Sequence, residues 1–316
     1  MGTVSVVIPT YNCAETLERA LQSVFGQTYA CEEVIVVNDC STDSTEDLLR
    51  GFAGRIKTIN TGARSGAAAA RNMGIDAAKG KYVAFLDADD LWLPEKIERQ
   101  MEVFETSPHR PALVTCNSSR IAADGKTPLQ EDHHATHPPG RGDRVWRRLL
   151  ERNFIPTPTV MMKRDALVAL GGFDETLPIA EDYDLWIRAS FAYGVDFSQS
   201  VLVRFHERPG SLMKEMMHRN AELTLKVINR YLDEYERHLE SGAKRSISGG
   251  WFLRYGYEAY LGGDYSSSIG YCLDALRSRH RVFKVGTVLL RAAVRGGWER
   301  CSAGVGRGER GPVGRG

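Results

Sequence analysis

No apolar run in these 316 residues reaches the ~18 needed to span a bilayer. Cysteine is sparse and unpaired. The six residues, Cys13, Cys31, Cys40, Cys116, Cys272 and Cys301, show neither the close pairs of a zinc site nor a disulfide framework. Net charge is nearly absent too. Lys and Arg number 41 against 40 Asp and Glu, so the chain as a whole is no polyanion binder, and nucleic acid is not an expected partner. The first residues lack a basic start and a small-residue cleavage site, and Val4-Ser5-Val6-Val7-Ile8 reads as a strand rather than a leader. With unpaired thiols, this sets the expectation of a cytoplasmic protein, at most peripheral to the inner face of a membrane.

What the chain does have is an alternation of apolar runs and helical periodicity. Strands are expected over 4–8, 34–37, 56–59 and 82–86. The β-branched run at 4–8 and the continuous apolar run at 34–37 are those of strands buried on both faces. Helices are expected over 14–25, where Leu17, Leu21, Val24 and Phe25 share a face, over 44–52, and over 67–78, stopped by Gly80. This order predicts a parallel, doubly wound α/β sheet. Further strands are expected over 112–117, 159–163 and 200–205, and helices over 94–105, 145–151 and 181–191. Residues 124–144 read as a polar loop, which makes His133, His134 and His137 solvated rather than a metal cluster. Beyond about 213 the pattern is purely helical, and the Gly- and Arg-rich 301–316 is expected to be disordered.

The most informative feature is Asp87-Ala88-Asp89-Asp90, directly after the apolar run Tyr82 to Leu86. Carboxylates crowded at the end of a buried strand repel one another and resist desolvation. A divalent cation relieves both, and hard oxygen ligands suit Mg²⁺ or Mn²⁺. The carboxyl end of such a strand is also where ligands bind in open α/β sheets. Acids that merely open the next helix give the same local pattern. Three other segments bear on the choice. Pro9-Thr10-Tyr11-Asn12 and Asn38-Asp39-Cys40-Ser41-Thr42-Asp43 end adjacent strands, so Tyr11 is placed to stack on a base and Asp39 to accept from one. Ser41, Thr42 and Asp43 serve equally well as helix caps. Arg71, in Ala69-Ala70-Arg71-Asn72, is placed on a helix before the acidic strand; its alternative is a surface salt bridge.

Residues 4–12, 34–43, 70–72 and 79–90 together resemble the family 2 glycosyltransferases of GT-A fold, in order and in spacing. The resemblance covers about residues 4–212. It implies a Rossmann-like mixed sheet flanked by helices, with a C-terminal helical extension over 213–300. It also implies a nucleoside-diphosphate-sugar donor, a UDP-sugar by the usual family pattern, and a divalent metal. Pro9, Tyr11, Asp39, Arg71, Asp87 and Asp89 would bind the donor nucleotide, with Asp39 on the base and Asp87 on ribose or metal-bound water. Asp89 and His206 would hold the metal, although a structural His also suits a strand end. Asp90 would shape the site or contact the sugar. Asn38 stands where many members carry a second Asp.

Gly171-Gly172-Phe173-Asp174-Glu175, followed by Glu181-Asp182-Tyr183-Asp184-Leu185-Trp186, is similar to the family's Glu-Asp motif. This makes Asp182 the general base of an inverting transfer and places Glu181 and Trp186 near sugar or acceptor. Without the upstream motifs, these acids are ordinary first-turn helix residues. The acceptor, a glycan or glycolipid of cell-envelope synthesis by family analogy, should meet 154–159 and 124–144. Two rivals stand beside this reading. A nucleotidyltransferase would need a Gly-rich basic loop after its first strand, which Pro9-Thr10-Tyr11-Asn12 is not. The other is a nucleotide-sugar binder without catalysis. In the C-terminal part, Gly256, Gly263-Asp264-Tyr265, Cys272 and Ala275 resemble one tetratricopeptide helix pair. That region is expected to pack on the catalytic domain or to make a homodimer contact. The basic, amphipathic 281–300 is a candidate for core packing or for an anionic membrane surface.

Overall fold

The computed structural model describes residues 2–122, 127–136, 139–142, 144–206, 217–278 and 282–305. The chain divides into two compact units, Met1–Glu215 and Met216–Gly316.

The first unit begins as the alternation requires. Strands β1 (Val4–Thr10), β2 (Glu33–Asn38), β3 (Lys57–Asn60) and β4 (Tyr82–Phe85) alternate with helices α1 (Ala14–Phe25), α2 (Thr45–Gly51) and α3 (Gly66–Ala77). β1 pairs in parallel with β2 and β4, and β2 with β3. Val4, Val6, Val7 and Ile8 are fully buried, as a strand covered on both faces demands. The remaining elements are β5 (Leu91–Trp92), α4 (Lys96–Thr106), β6 (Leu113–Ile121), β7 (Pro128–Gln130), α5 (His133–Thr136), α6 (Val145–Glu151), β8 (Met161–Lys163), α7 (Arg164–Ala169), α8 (Glu181–Ala192) and β9 (Val195–His206). A 3-10 turn, Thr157–Thr159, precedes β8.

The sheet runs β3-β2-β1-β4-β8-β6-β9-β5, with β7 on β6. It turns antiparallel at β8, so the sheet is mixed and not wholly parallel as the first hundred residues alone suggest. β6 and β9 are both longer than expected. They pair in parallel through register shifts at Cys116–Ser118, and the polar Asn117, Ser118, Ser119 and Arg120 hide that extension from an apolar-run criterion. Residues 124–144 are not all loop: β7 and α5 lie among them. His133 and His134 are half-buried rather than solvated, because α5 packs on β6 and the His134 ring meets Phe197 edge-on at 5.3 Å. His137 lies outside the described residues.

The second unit contains α9 (Met217–Glu234), α10 (Ala243–Leu261), α11 (Tyr265–Arg277) and α12 (Val282–Val305). Gly256 lets α10 and α11 close up, since a Cβ there would lie 2.9 Å from Cys272 Sγ. The Asp264 side chain caps α11 by accepting from Ser267 N at 3.0 Å. Val285 is buried with Cys272 and Ala275, and Val288 and Leu289 pack against them. Lys284, Leu290, Arg291, Val294 and Arg295 of α12 are exposed. The helix continues to Val305, so the first residues of the expected disordered tail are helical. No helix among the described residues is long and apolar enough to cross a membrane.

Candidate active site

Two loops at the carboxyl ends of β1 and β2 are fastened to one another. Asn12 and Cys40 both take the left-handed conformation, with φ of 51° and 58°. Asn12 Oδ1 accepts from Thr42 N at 2.7 Å, and Ser41 Oγ accepts from Asn12 N at 3.0 Å. Asp43 accepts from Ala14 N at 3.2 Å and from Thr45 N at 3.0 Å, so one carboxylate serves the first turns of both α1 and α2. Asp43 thus meets the helix starts, whereas Ser41 and Thr42 bind Asn12, and all three cross-link the two loops.

Asp39 is buried and orders a third loop. Its Oδ1 accepts from the Thr61 hydroxyl at 2.9 Å and Ser65 N at 2.7 Å, and its Oδ2 from Gly66 N at 2.8 Å. This draws the start of α3 to the end of β2. Half-buried Pro9 and Tyr11 flank the same place, and the Arg64 guanidinium lies 4.0 Å from the Tyr11 ring centroid. Tyr11 thus offers a face that already holds a flat cation.

The acidic cluster ends β4 in a turn, with Asp90 N donating to Asp87 O at 3.1 Å. The turn leaves Asp87 and Asp89 half-exposed while Ala88 and Asp90 are buried. Asp90 is oriented toward β9, accepting from His206 N at 3.4 Å. Its side chain is buried in that position.

Arg71 joins the two halves of the site. Its side chain is 7% exposed and makes ion pairs to Asp87 at 2.9 Å and to Glu181 at 2.7 Å. Burial opposes its charge, but the carboxylates of Asp87 and Glu181 outweigh that and hold it firmly protonated. The surface salt bridge considered for it is excluded by this burial. Asn72, the next residue, makes the parallel backbone link: its Oδ1 accepts from Phe173 N at 2.8 Å and its Nδ2 donates to Phe173 O at 2.9 Å. Gly172 permits the approach. Its φ is +68°, and a Cβ there would lie 2.4 Å from Asn72 Oδ1.

The acids opening α8 have separate environments. Ala180, with φ 64°, turns the chain into the helix. Glu181 faces Arg71. Asp184 is buried and pairs with Arg188, which also donates to Leu170 O and Gly172 O at 2.7 and 2.8 Å. Asp182 accepts from the Thr157 hydroxyl at 2.7 Å and from Tyr183 N at 2.6 Å. Burial raises the pKa of both Asp182 and Glu181. The neighbouring Asp182 charge adds to the shift on Glu181, while Thr157 and Arg71 partly offset it on Asp182. Trp186 is not where an acceptor could touch it. It is fully buried, with Phe85 and Phe173 ring centroids 6.3 and 5.9 Å away, because α8 turns that face into the core.

No three His, Cys, Asp or Glu side chains among the described residues form a ready metal cage. β5 pairs antiparallel with β9, Leu91 opposite Arg204, which brings the end of β9 beside the acidic cluster. His206 Nδ1 there is buried without a protein partner, and burial lowers its pKa toward the neutral, ligating form. Asp89, in the acidic turn, is half-exposed. One or two protein ligands completed by substrate phosphate is the usual economy of Mg²⁺ sites.

This mixed sheet, with acids at the carboxyl end of β4 and at the start of α8, has the GT-A architecture. A crystal structure of S. aureus TarS residues 1–349 superposes with a TM-score of 0.61 at 18% identity, covering 93% of this chain and 87% of that one. Residues 5–171 match the family described as Glycosyl transferase family 2, and the chain belongs to that family. A protein of Rickettsia felis, named only as a glycosyltransferase, is 30% identical over 69% of this chain. The chain spans 36% of that relative's length, and 30% of a second from Rickettsia bellii. The Escherichia coli UDP-Glc:alpha-D-GlcNAc-diphosphoundecaprenol beta-1,3-glucosyltransferase WfaP is 42% identical over 34% of this chain and 43% of its own.

Arg64 was not singled out from sequence. Asn72 lies within the Ala69-to-Asn72 segment and Thr157 within the stretch expected to meet the acceptor, but only tertiary contact shows their links to Phe173 and Asp182.

Proposed function

We propose that the chain transfers a sugar from a UDP-sugar to a hydroxyl of a glycan or glycolipid by single displacement with inversion. The observation that carries this reading is the double ion pair of Arg71, which couples an acid at the donor end of β4 to the Glu181-Asp182 pair. Support for the donor comes from TarS, which has been crystallised with UDP-GlcNAc and matches at a TM-score of 0.57. Support for a glycolipid acceptor comes from the name of WfaP.

Asp182 takes the proton of the acceptor hydroxyl as that oxygen bonds to the anomeric carbon. The bond from that carbon to the diphosphate oxygen breaks, and UDP leaves with the electron pair. General-base assistance contributes typically ~10²–10⁴ in rate. Pro9, Tyr11 and the Asp39-ordered loop receive the nucleoside, and Arg71 and Asp87 border the diphosphate. Mg²⁺ or Mn²⁺ held by Asp89 and His206 would neutralise charge on the diphosphate. The exposed Lys284, Leu290, Arg291, Val294 and Arg295 of α12 suit contact with an anionic membrane carrying the acceptor, and the α10–α11 pair is proposed as the dimer contact.

UDP release from UDP-glucose and UDP-N-acetylglucosamine, with Mn²⁺ and with a chelator, tests the proposal. Release with at least one donor that chelation suppresses is expected. Failure of both donors and of UDP to bind or react would reject it.

A further inference from the structure

We infer that Thr157 is a positioning residue for the proposed base, fixing the plane of the Asp182 carboxylate through its hydroxyl. This rests on the reading of Asp182 as the base. A carboxylate turns about its last side-chain torsion unless both oxygens are engaged. Here both are: Oδ1 accepts from Tyr183 N at 2.6 Å and Oδ2 from the Thr157 hydroxyl at 2.7 Å. The first partner belongs to the helix that carries Asp182. The second comes from a different part of the fold, and its placement decides where the carboxylate points.

The turn that bears Thr157 is held unusually well. Trp92 Nε1 donates to Pro158 O at 2.9 Å. Gln100 Nε2 donates to Thr159 O and to Val114 O, both at 2.8 Å. The hydroxyls of Thr159 and Thr115 are 2.6 Å apart. Thr157, Pro158 and Thr159 are all buried, so these hydrogen bonds are sheltered from exchange with water. Trp92 and Gln100 lie on β5 and α4, the elements that directly follow Asp87 to Asp90. The group that aims the base therefore hangs from the same framework that presents the donor-side acids. A single rigid path sets the separation between the two ends of the reaction, which is what proximity catalysis requires.

The test uses the full chain and acceptor-independent hydrolysis of UDP-glucose and UDP-N-acetylglucosamine, read as UDP release across pH. Thr157→Val keeps the shape and removes the hydroxyl. The expected result is an acid limb of kcat/KM displaced upward by about one pH unit, with kcat at neutral pH lower by about tenfold and UDP affinity unchanged. Thr157→Ser should restore both the limb and the rate. A Thr157→Val profile whose limb does not move, or a loss shared equally by Thr157→Ser, overturns the inference. If the valine variant melts below the assay temperature, Thr157→Ala against Thr157→Ser gives the same comparison. Asp182→Asn separates the two levels of the argument. If it is inactive while the Thr157→Val limb is unmoved, the positioning role fails and the base survives; if it turns over normally, the base itself is wrong.

Discussion

Asp182 and Glu181 are half-buried acids, and partial removal from water penalises their ionised forms. Their folded-state pKa values are raised above the ordinary 3.8 and 4.5. The protonated forms are therefore favoured by folding: this contribution is fully present below the unfolded values and is lost as pH rises through the folded ones. The proposed role of Asp182 has the opposite need, because a general base must be ionised. The acid limb of kcat/KM should thus lie above 3.8, the ordinary Asp value, and a pH–rate profile checks this. At this scale Arg71, Asp87 and Glu181, which the structure draws together, were legible as candidates. Asp87 and Asp89 stand out because apolar strand residues precede them, and Asp182 because Gly171-Gly172-Phe173 precedes it. Trp186 was misplaced since helical spacing does not say which face turns into the core. Thr157 was invisible as a partner of Asp182, because the two are 25 positions apart and only the fold joins them.

Among elements, the dependable signals were continuous apolar runs and helical periodicity. β1, β2, β4 and α1 follow from them directly. β6 and β9 did not, because their pairing extends through polar residues, and β7 and α5 are too short to show a period. The contact between α3 and the Phe173 turn is where an element-scale prediction belongs. Gly172 combines a left-handed backbone with a close approach to Asn72. Gly172→Ala should lower stability by about 1–3 kcal/mol and loosen the Asn72 and Arg71 links together, seen as a lower denaturation midpoint and weaker activity. An unchanged midpoint would show that the turn has slack which the close approach does not suggest.

For the whole molecule, the sheet order was only partly legible. The early alternation implies parallel pairing, but antiparallel β8 enters between β4 and β6 from far along the chain. That insertion brings the Thr157 turn and α8 to the acidic end of β4, making one site from segments about a hundred residues apart. Arg71 and Glu181 are separated by 110 positions and lie 2.7 Å apart. This convergence is proposed to make a transferase with Asp182 as its base. Asp182→Asn, assayed for UDP release and titrated with UDP in the same preparation, tests it most directly. Turnover should fall by at least ~10²-fold with UDP affinity held within about twofold. Near-normal turnover in that variant would contradict the account.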